Sequence, residues 1–475
     1  MSNNKLFTIN RRDFLKYMFL FTSFSCMPKS LMSFEKKMKN NIIRNDLNVP
    51  QATNYINSKP FELLNFAHVT DVHIVDEGNP LRLEELKLLG LDEPIFSRLA
   101  PVVGGISREQ DPYSALLWDA TIRSINEQHI LKPMDFLIAT GDHTDTDLEN
   151  ELRWFIEIAD GYLSSDYFDR AGKKEVALVS PAGIAANLPW YAALGNHDVM
   201  YQGSVNNELL FGRLVGLVTR EGININEGSR LLRRLSISAP DELSSMKDSI
   251  DLYRSSGHGF YNMPAPFEGY YSFTPKPFIH CIVLNTANYY PSGSIPKESL
   301  SQGVLDKRQF DWMINEVENN FDKLCIIFSH HPTTSWINFK SEIKSGEFED
   351  TLCSYENVIA HINGHTHKNN IIPVKNSNGG YWLINTCSII DFPQEWRKIT
   401  LYDNGDGTGS IKTQMFRHNN QTIYQIVLND ADTNRMGLDI DRDVELLFSM
   451  PKTVSNNIKN YKKNSDGIGN IPLLR

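Results

Sequence analysis

Five apolar runs in this chain each end directly in a cluster of aspartate, asparagine or histidine. The runs cover residues 61–70, 134–140, 188–194, 324–329 and 358–363. Their length and their content of Ile, Val, Leu and Phe predict buried strands. Because sites in α/β sheets form in the crevice beyond the carboxyl ends of the strands, we expect the five polar clusters to converge on one point.

Helical patterns lie between several of these strands, at residues 115–128, 149–162 and 307–320. Strands that alternate with helices predict an α/β fold.

Two further stretches, 77–112 and 201–268, follow predicted strand ends and do not fit the alternation of strands and helices. We interpret them as insertions that form walls over the site. The charged piece at 230–254 is either a lid helix or a surface that pairs with another subunit.

Charge and cysteine content exclude two classes of site. The chain has 475 residues and a formal net charge of −10, with no basic stripe interleaved with aromatic residues. No nucleic-acid-binding surface is therefore evident. The five cysteines form no CxxC pair and no zinc-ribbon spacing, and Cys281 and Cys325 are expected to be buried.

The N-terminus resembles an export signal. Paired arginines in Arg11-Arg12-Asp13-Phe14-Leu15-Lys16 precede an apolar stretch at 17–27, as in twin-arginine signals. That stretch is shorter than the roughly 20 apolar residues that span a bilayer. We expect the twin-arginine machinery to export the chain to the periplasm, with no transmembrane span in the mature protein. The alternative is an ordinary basic N-terminus. Lipid anchoring at Cys26 is not expected, because Ser23-Phe24-Ser25 makes a poor lipobox.

The five polar clusters form an ordered set of motifs. They are Asp71-Val72-His73, Gly141-Asp142-His143-Thr144-Asp145, Gly195-Asn196-His197-Asp198, His330-His331-Pro332 and Gly364-His365-Thr366-His367. In this order they resemble the motifs of the calcineurin-like metallophosphoesterase family, which read D-x-H, GD-x-x-[D/N], GNH-[D/E], a lone His and GH-x-H. The resemblance covers roughly residues 60–415, and no motif is missing.

The resemblance implies a fold and a metal centre. The fold is a four-layer α-β-β-α sandwich of two mixed sheets, with a dinuclear site at the strand ends. One ion is held by the first ligand group: Asp71, His73, Asp142 and His367. The other is held by the second ligand group: Asp142, Asn196, His330 and His365. Asp142 bridges the two ions.

These residue types suit a pair of divalent ions. Imidazole and carboxylate are ligands for Zn²⁺, Mn²⁺ and iron. Two such ions about 3.5–4 Å apart clamp both the attacking and the leaving oxygen of a displaced phosphoryl group. The expected cofactors are two ions of Mn, Fe or Zn, and the expected partner is a phosphate-ester substrate.

The resemblance also implies roles outside the ligand set. His197 faces the substrate and donates a proton to the leaving alkoxide as general acid. Asp198 orients His197 or balances its charge, and Asp145 lies behind the ligands. Tyrosine takes the place of Asp145 in the purple acid phosphatases, so the iron–tyrosinate branch is not expected.

Three histidines are ambiguous at this stage. The family places the fourth-motif ligand two residues before proline, which selects His330 over His331. His143 stands where the family usually has an apolar residue, and either packs in the interior or touches substrate. His361, within a predicted strand, is interpreted as packing or as a partner of a ligand.

The predicted function is hydrolysis of a phosphomonoester or phosphodiester. The alternatives are a cyclic-nucleotide phosphodiesterase and a non-catalytic metal-binding scaffold of the same fold. A mononuclear redox protein gives no reason for Asn196 as a ligand. The expected organisation is a signal and linker at 1–38, the catalytic domain at 55–415 and a C-terminal extension at 416–475 that ends in a mobile polar tail from about residue 452 to 470.

Overall fold

The computed structural model describes residues 42–50, 60–76, 108–171, 178–200, 202–203, 250–251, 253, 269–287, 301–339, 341–428 and 431–467. The chain divides into two compact units, residues 1–42 and 43–475. Only residue 42 of the first unit is described, so the predicted signal lies outside the described residues. Most of the two predicted insertions and nearly all of the 230–254 piece lie outside them as well.

The described strands run in chain order from β1 to β13. They are β1 Ile42–Arg44, β2 Phe61–Val69, β3 Phe136–Thr140, β4 Trp190–Ala193, β5 Tyr271–Lys276, β6 Ile279–Val283, β7 Leu324–Phe328, β8 Val358–Asn363, β9 Asn370–Lys375, β10 Gly380–Asn385, β11 Glu395–Asp403, β12 Thr408–Arg417 and β13 Val444–Ser449.

The described helices are α1 to α7. They are α1 Ser114–Leu131, α2 Glu149–Asp160, α3 Ser165–Ala171, α4 Lys307–Asn319, α5 Ser345–Leu352, α6 Gln421–Leu428 and α7 Lys452–Gly467. Short 3₁₀ turns lie at Asp111–Tyr113, Thr333–Ser335, Thr433–Met436 and Asp439–Asp441.

Two mixed sheets form the centre of the fold. One has the strand order β1-β13-β12-β11-β2-β3-β4, and the other has the order β5-β6-β7-β8-β10-β9. The pairs β2–β3, β3–β4, β6–β7, β7–β8 and β8–β10 are parallel, and the other pairings are antiparallel where their register is defined. The strands β3, β6, β7 and β8 are buried along their whole length, as parallel strands covered on both faces must be.

Aromatic side chains join the two sheets face to face. Phe66 on β2 and Phe136 on β3 both contact Phe328 on β7, with ring centroids 5.8 and 6.4 Å apart. Tyr191 on β4 stacks on Phe273 of β5 at 3.8 Å. These rings exclude water from the interface between the sheets.

Helices cover the outer faces. On the first sheet, Trp396 of β11 donates a hydrogen bond to Ser124 of α1 at 3.0 Å, and Trp118 of α1 stacks on Phe155 of α2. On the second sheet, the buried face of α4 packs with α5 against β6, β7 and β8. The predicted four-layer α-β-β-α sandwich is confirmed.

Strand register aligns the motif-bearing ends. Val69 of β2 pairs with Ala139 of β3, and Thr140 of β3 pairs with Ala193 of β4. Phe328 of β7 pairs with Ile362 of β8 in the other sheet. The chain leaves each of these strands at the same edge, so the residues that follow them meet there.

The C-terminal region departs from expectation. Beyond residue 415, β13 pairs with β12 and completes the first sheet. The tail predicted to be mobile is the helix α7 over Lys452–Gly467. Val454 and Ile458, spaced one turn apart, are both fully buried, and this apolar stripe docks an otherwise polar helix. The expected domain boundaries themselves stay predictions.

Within the described residues, no helix combines the length and apolar content needed to cross a membrane. Cys281 and Cys325 are buried and free, as expected.

Candidate metal centre

The five motifs meet at the aligned strand ends. Ligand atoms of the first group, from Asp71, His73, Asp142 and His367, all lie within 4.8 Å of one another. Asp71 and Asp142 are almost completely buried. The structure therefore brings together the four residues that were predicted to bind one ion. Their role as ligands stays a prediction.

Backbone strain concentrates at these residues. Asp71, His73, Asp142, His365 and His367 all have positive φ, between 49° and 68°. Positive φ is uncommon outside glycine, and Asp and His tolerate it better than most residues. The tight turns are held by backbone hydrogen bonds, from Asp71 N–H to the Gly141 carbonyl at 3.0 Å and from His73 N–H to the Asp142 carbonyl at 2.9 Å. Strain of this kind is retained where surrounding structure fixes it, typically at functional sites.

The histidines of the first group are held by carboxylates. His73 donates from Nδ1 to Asp145 Oδ1 at 3.1 Å, and His367 donates from Nδ1 to Asp391 Oδ2 at 2.5 Å. In both rings the proton is thereby held at Nδ1, which leaves Nε2 as the atom that can bind a cation. The Nε2 of His367 lies 3.1 Å from Asp71 Oδ1.

The second group is held by backbone carbonyls. Asn196 donates from Nδ2 to the Gly203 carbonyl at 3.0 Å, which turns Oδ1 toward the His330 ring. His330 donates from Nδ1 to the Thr140 carbonyl at 2.8 Å. His365 also approaches this ring, with centroids 5.1 Å apart.

Asp142 lies between the two groups. Its Oδ2 is 3.2 Å from His330 Nε2 and 3.7 Å from His73 Nε2. Its Oδ1 accepts a hydrogen bond from His197 N–H at 2.9 Å, which fixes the carboxylate. One oxygen that faces a histidine from each group is the arrangement expected of a bridging carboxylate.

His331 is engaged elsewhere. His330, His331 and His365 also come within 4.8 Å of one another as possible ligands. However, His331 donates from Nε2 to the Ser301 carbonyl at 3.0 Å, and its Nδ1 lies 2.9 Å from Thr286 Oγ1. With both nitrogens hydrogen-bonded, His331 is the weaker candidate, as the sequence reasoning expected.

The donor set fits divalent cations. His73 Nε2 is buried and makes no hydrogen bond within the described part of the chain, although it faces the centre of the first group. Buried polar atoms normally have partners, and a metal ion is one way to supply them. Burial alone would lower the pKa of His367, but the Asp71 and Asp391 carboxylates raise it to about 9. The two carboxylates therefore favour positive charge at the His367 ring.

His197 lies beside the ligands and is only partly buried. It donates from Nδ1 to the backbone carbonyl of Asp145 at 2.7 Å, and its ring meets His73 edge-on at 4.6 Å. Gly203, with φ +66°, packs against this ring so closely that a Cβ there would come within 2.3 Å of Nε2. Nδ1 is thus fixed, and Nε2 is the atom left to exchange a proton.

Asp198 has contacts other than those expected. The sequence predicted that Asp198 orients His197 or balances its charge. In the structure the Asp145 carbonyl accepts from the His197 ring. Asp198 Oδ1 accepts hydrogen bonds from the N–H groups of His143 and Thr144, at 2.8 and 3.0 Å, and Oδ2 accepts one from Gly195 N–H. Its buried carboxylate therefore ties the second motif to the third. Its catalytic role stays a prediction.

His143 is an interior residue. It is fully buried, hydrogen-bonds Tyr253 at 2.5 Å and lies 3.3 Å from Asp198 Oδ2. This environment supports the packing interpretation. His361 is also buried, and its Nε2 lies 2.7 Å from Ser329 Oγ.

Three residues near the site carried no signal in the sequence. Asp391, in the turn between β10 and β11, holds His367, and both Arg108 and Arg435 form ion pairs with Asp391. Arg108 comes from the first predicted insertion and Arg435 from the C-terminal extension. The sequence predicted that this insertion lies over the site, but it did not single out Arg108.

Residues 64–369 match the family model described as calcineurin-like phosphoesterase. No curated protein sequence matches significantly.

Solved structures to which this chain is similar include a dimetal phosphatase from Danio rerio, at 14% identity over 75% of this chain and 100% of that chain, with a TM-score of 0.38. A purple acid phosphatase from yellow lupin seeds is 10% identical over 83% of this chain and 55% of that chain, with a TM-score of 0.38. A calcineurin-like phosphoesterase from Bacillus subtilis is 12% identical over 86% and 98%, with a TM-score of 0.36.

Proposed function

The chain belongs to the calcineurin-like phosphoesterase family, and we propose that it hydrolyses phosphomonoesters or phosphodiesters with two divalent ions. The observation that carries this proposal is the placement of Asp142, whose Oδ2 faces His330 of one ligand group and His73 of the other. When bound, two ions supply Lewis-acid activation of the phosphate ester and of the attacking water.

The residues of the chain contribute position and proton transfer. The buried carboxylates of Asp71 and Asp142 and the carboxylate-held imidazoles fix a site of defined charge before substrate arrives. His197, partly exposed beside that site, donates a proton from Nε2 to the leaving alkoxide. The Asp145 carbonyl keeps the other ring nitrogen protonated, so the ring cannot exchange the roles of its two nitrogens.

Export through the twin-arginine pathway to the periplasm remains part of the proposal. It rests on the sequence from Arg11 to Lys16 and on the apolar stretch at 17–27 that follows it.

The test is hydrolysis of 4-nitrophenyl phosphate and of its bis ester. The metal-stripped protein, the protein refilled with Mn²⁺ and the His197→Ala variant are compared, with thermal melting as the control for folding. We expect Mn²⁺-dependent turnover that collapses in His197→Ala, and the preferred ester assigns mono- or diesterase activity. A refilled protein that binds no Mn²⁺ and cleaves neither ester contradicts the proposal.

A further inference from the structure

Arg108 contacts three carboxylates at one edge of the metal centre. Its Nη1 lies 3.4 Å from Asp111 Oδ1 and 3.2 Å from Asp145 Oδ1, and its Nε lies 3.3 Å from Asp391 Oδ1. The Arg108 side chain is only 17% exposed. A planar guanidinium with several donors in a fixed fork can bind separate carboxylates at once.

Two of these carboxylates hold ligands of the same predicted ion. Asp145 accepts from His73 Nδ1, and Asp391 accepts from His367 Nδ1. Arg108 therefore connects the outer partners of both histidines in the first ligand group. Arg435 reinforces the connection through a second ion pair with Asp391.

The charges within this cluster depend on one another. Burial alone would lower the pKa of Arg108, but Asp391, Asp111 and Asp145 raise it above its ordinary value. Burial alone would raise the pKa of Asp391, but Arg108, His367 and Arg435 hold it well below its usual range. Without Arg108, Asp145 and Asp391 would be two buried carboxylates with reduced compensation, which is costly.

The second ligand group has a different support. The partners of Asn196 and His330 are the backbone carbonyls of Gly203 and Thr140, which are set by the strand and loop rather than by a charged side chain. Loss of the Arg108 charge should therefore weaken the supports of His73 and His367 and leave those of Asn196 and His330 in place.

We propose that Arg108 is a positioning residue for the first ligand group, which fixes Asp145 and Asp391 and so sets the divalent-cation affinity of that group independently of the second. This inference rests on the proposed two-ion centre. It assigns a function in metal binding to a residue of the first insertion, outside the five motifs.

The experiment measures bound Mn²⁺ per full-length chain. Stripped protein is equilibrated with buffers of graded free Mn²⁺, and protein-bound metal is quantified by mass spectrometry. The parent protein should fill in two steps. In Arg108→Gln, one step should move to higher free Mn²⁺, by no more than the roughly 10–100-fold that loss of an outer partner such as Asp391 costs, because Arg108 acts on the ligands through Asp145 and Asp391. The other step should stay in place, and the displaced step should be the one that Asp71→Asn abolishes.

Two variants separate positioning from a general loss of structure. Arg108→Lys keeps the charge without the forked donors, so its shift should be smaller than that of Arg108→Gln. Arg123→Gln is the matched control, because Arg123 also pairs with an aspartate but its side chain is 53% exposed and its partner is Asp119 on the same helix. Both filling steps should be unchanged in that control.

The outcomes are distinct. Equal displacement of both steps in Arg108→Gln, or no displacement in a variant that melts like the parent, overturns the inference. If Arg108→Gln does not fold, Arg435→Gln tests the inference instead. We expect a smaller shift of the same filling step, and the absence of any shift would count against the inference. Failure of the two-ion centre itself would look different, because the parent protein would then bind no Mn²⁺.

Discussion

The two ligand groups share Asp142 but are supported by different chemistry. In the first group, the outer nitrogens of His73 and His367 donate to the carboxylates Asp145 and Asp391. In the second group, the outer nitrogen of His330 donates to a backbone carbonyl, and so does the amide of Asn196. A carboxylate partner raises the basicity of a ligand histidine more than a neutral carbonyl does.

Because of this difference, we expect the two ligand groups to differ in their sensitivity to mutation. Side chains that are distant in sequence assemble the first group, so single substitutions can weaken it. The second group is supported by backbone carbonyls next to strand β3 and the third motif. A substitution can remove these hydrogen bonds only by changing the backbone conformation. The two halves of one site can therefore respond to different kinds of substitution.

The largest expected effect is a substitution that affects both ligand groups at once. Asp142→Asn removes the shared carboxylate, so both Mn²⁺ filling steps should be lost. Hydrolysis should fall by roughly 10⁴-fold or more, since several kcal/mol of charge stabilisation disappear and each 1.36 kcal/mol is a factor of ten. Metal content and turnover are measured on the same samples. Retention of both ions would show that Asp142 does not bridge them.

The next effect separates chemistry from metal binding. His197→Ala should lower turnover by about 10²–10⁴-fold, the usual contribution of a general acid, and leave both filling steps in place. The measurement is kcat beside bound Mn²⁺ per chain. A variant that loses metal in proportion to activity would place His197 among the ligands instead.

A smaller effect is confined to the first group. Asp391→Asn weakens the hydrogen-bond partner of His367, so the first group should lose roughly 10–100-fold in Mn²⁺ affinity while the second is unaffected. Graded Mn²⁺ binding resolves the two steps. A shift of the second step alone would reverse the assignment of the groups.

The corresponding test of the second group acts through the backbone. Gly203 has φ +66°, and a Cβ at this position would lie 2.5 Å from Asn196 Nδ2. Gly203→Ala should cost about 1–2 kcal/mol of stability from the left-handed conformation alone. It should also displace the second filling step and leave the first in place. Thermal melting and Mn²⁺ binding together measure the effect, and an unchanged second step would remove Gly203 from the support of Asn196.

The remaining prediction concerns pH. Burial raises the pKa of Glu151 to about 8, from an ordinary value of 4.5. Glu151 accepts hydrogen bonds from Thr146 and from Asp76 N–H, and so links the loops that carry His73 and Asp145. Because the folded state holds the proton more tightly, the Glu151 contribution to stability is complete below pH 4.5 and is lost as pH rises to about 8.

The matching variant is Glu151→Gln, which cannot ionise. The free energy of unfolding of the parent, relative to this variant, should decrease between pH 4.5 and 8, by on the order of 1 kcal/mol per pH unit at most. Urea denaturation at several pH values measures it. A difference that stays constant or grows with pH would contradict the raised pKa.

The buried strands and the convergence of the polar clusters could be predicted because both depend on local patterns, whereas the four layers and the ligand set were implied by the family resemblance. Buried strands such as β3 and β7 are continuous apolar runs, and the residues that follow them meet because parallel strands align. The positions of His330 and His367 follow from the same rule. The placement of His331 with both nitrogens hydrogen-bonded agrees with its exclusion.

The outer partners could not be predicted in this way. Asp391, Arg108 and Arg435 belong to turns and loops far apart in sequence, and no periodicity connects them. The Asp145 carbonyl as the partner of His197 and the second-motif N–H groups as the partners of Asp198 could not be predicted from the motifs either. The role of Asp198 stays a prediction. The helix at 452–467 was missed because its Lys- and Asn-rich composition outweighed the spacing of Val454 and Ile458.

The most direct test of the two-ion centre is an anomalous difference map from crystals grown with Mn²⁺. We expect two peaks about 3.5–4 Å apart, the spacing of two-metal sites, with Asp142 between them. One peak should lie against Asp71, His73 and His367, and the other against Asn196, His330 and His365. A single peak, or a peak bound by His331 in place of His330, would contradict this centre.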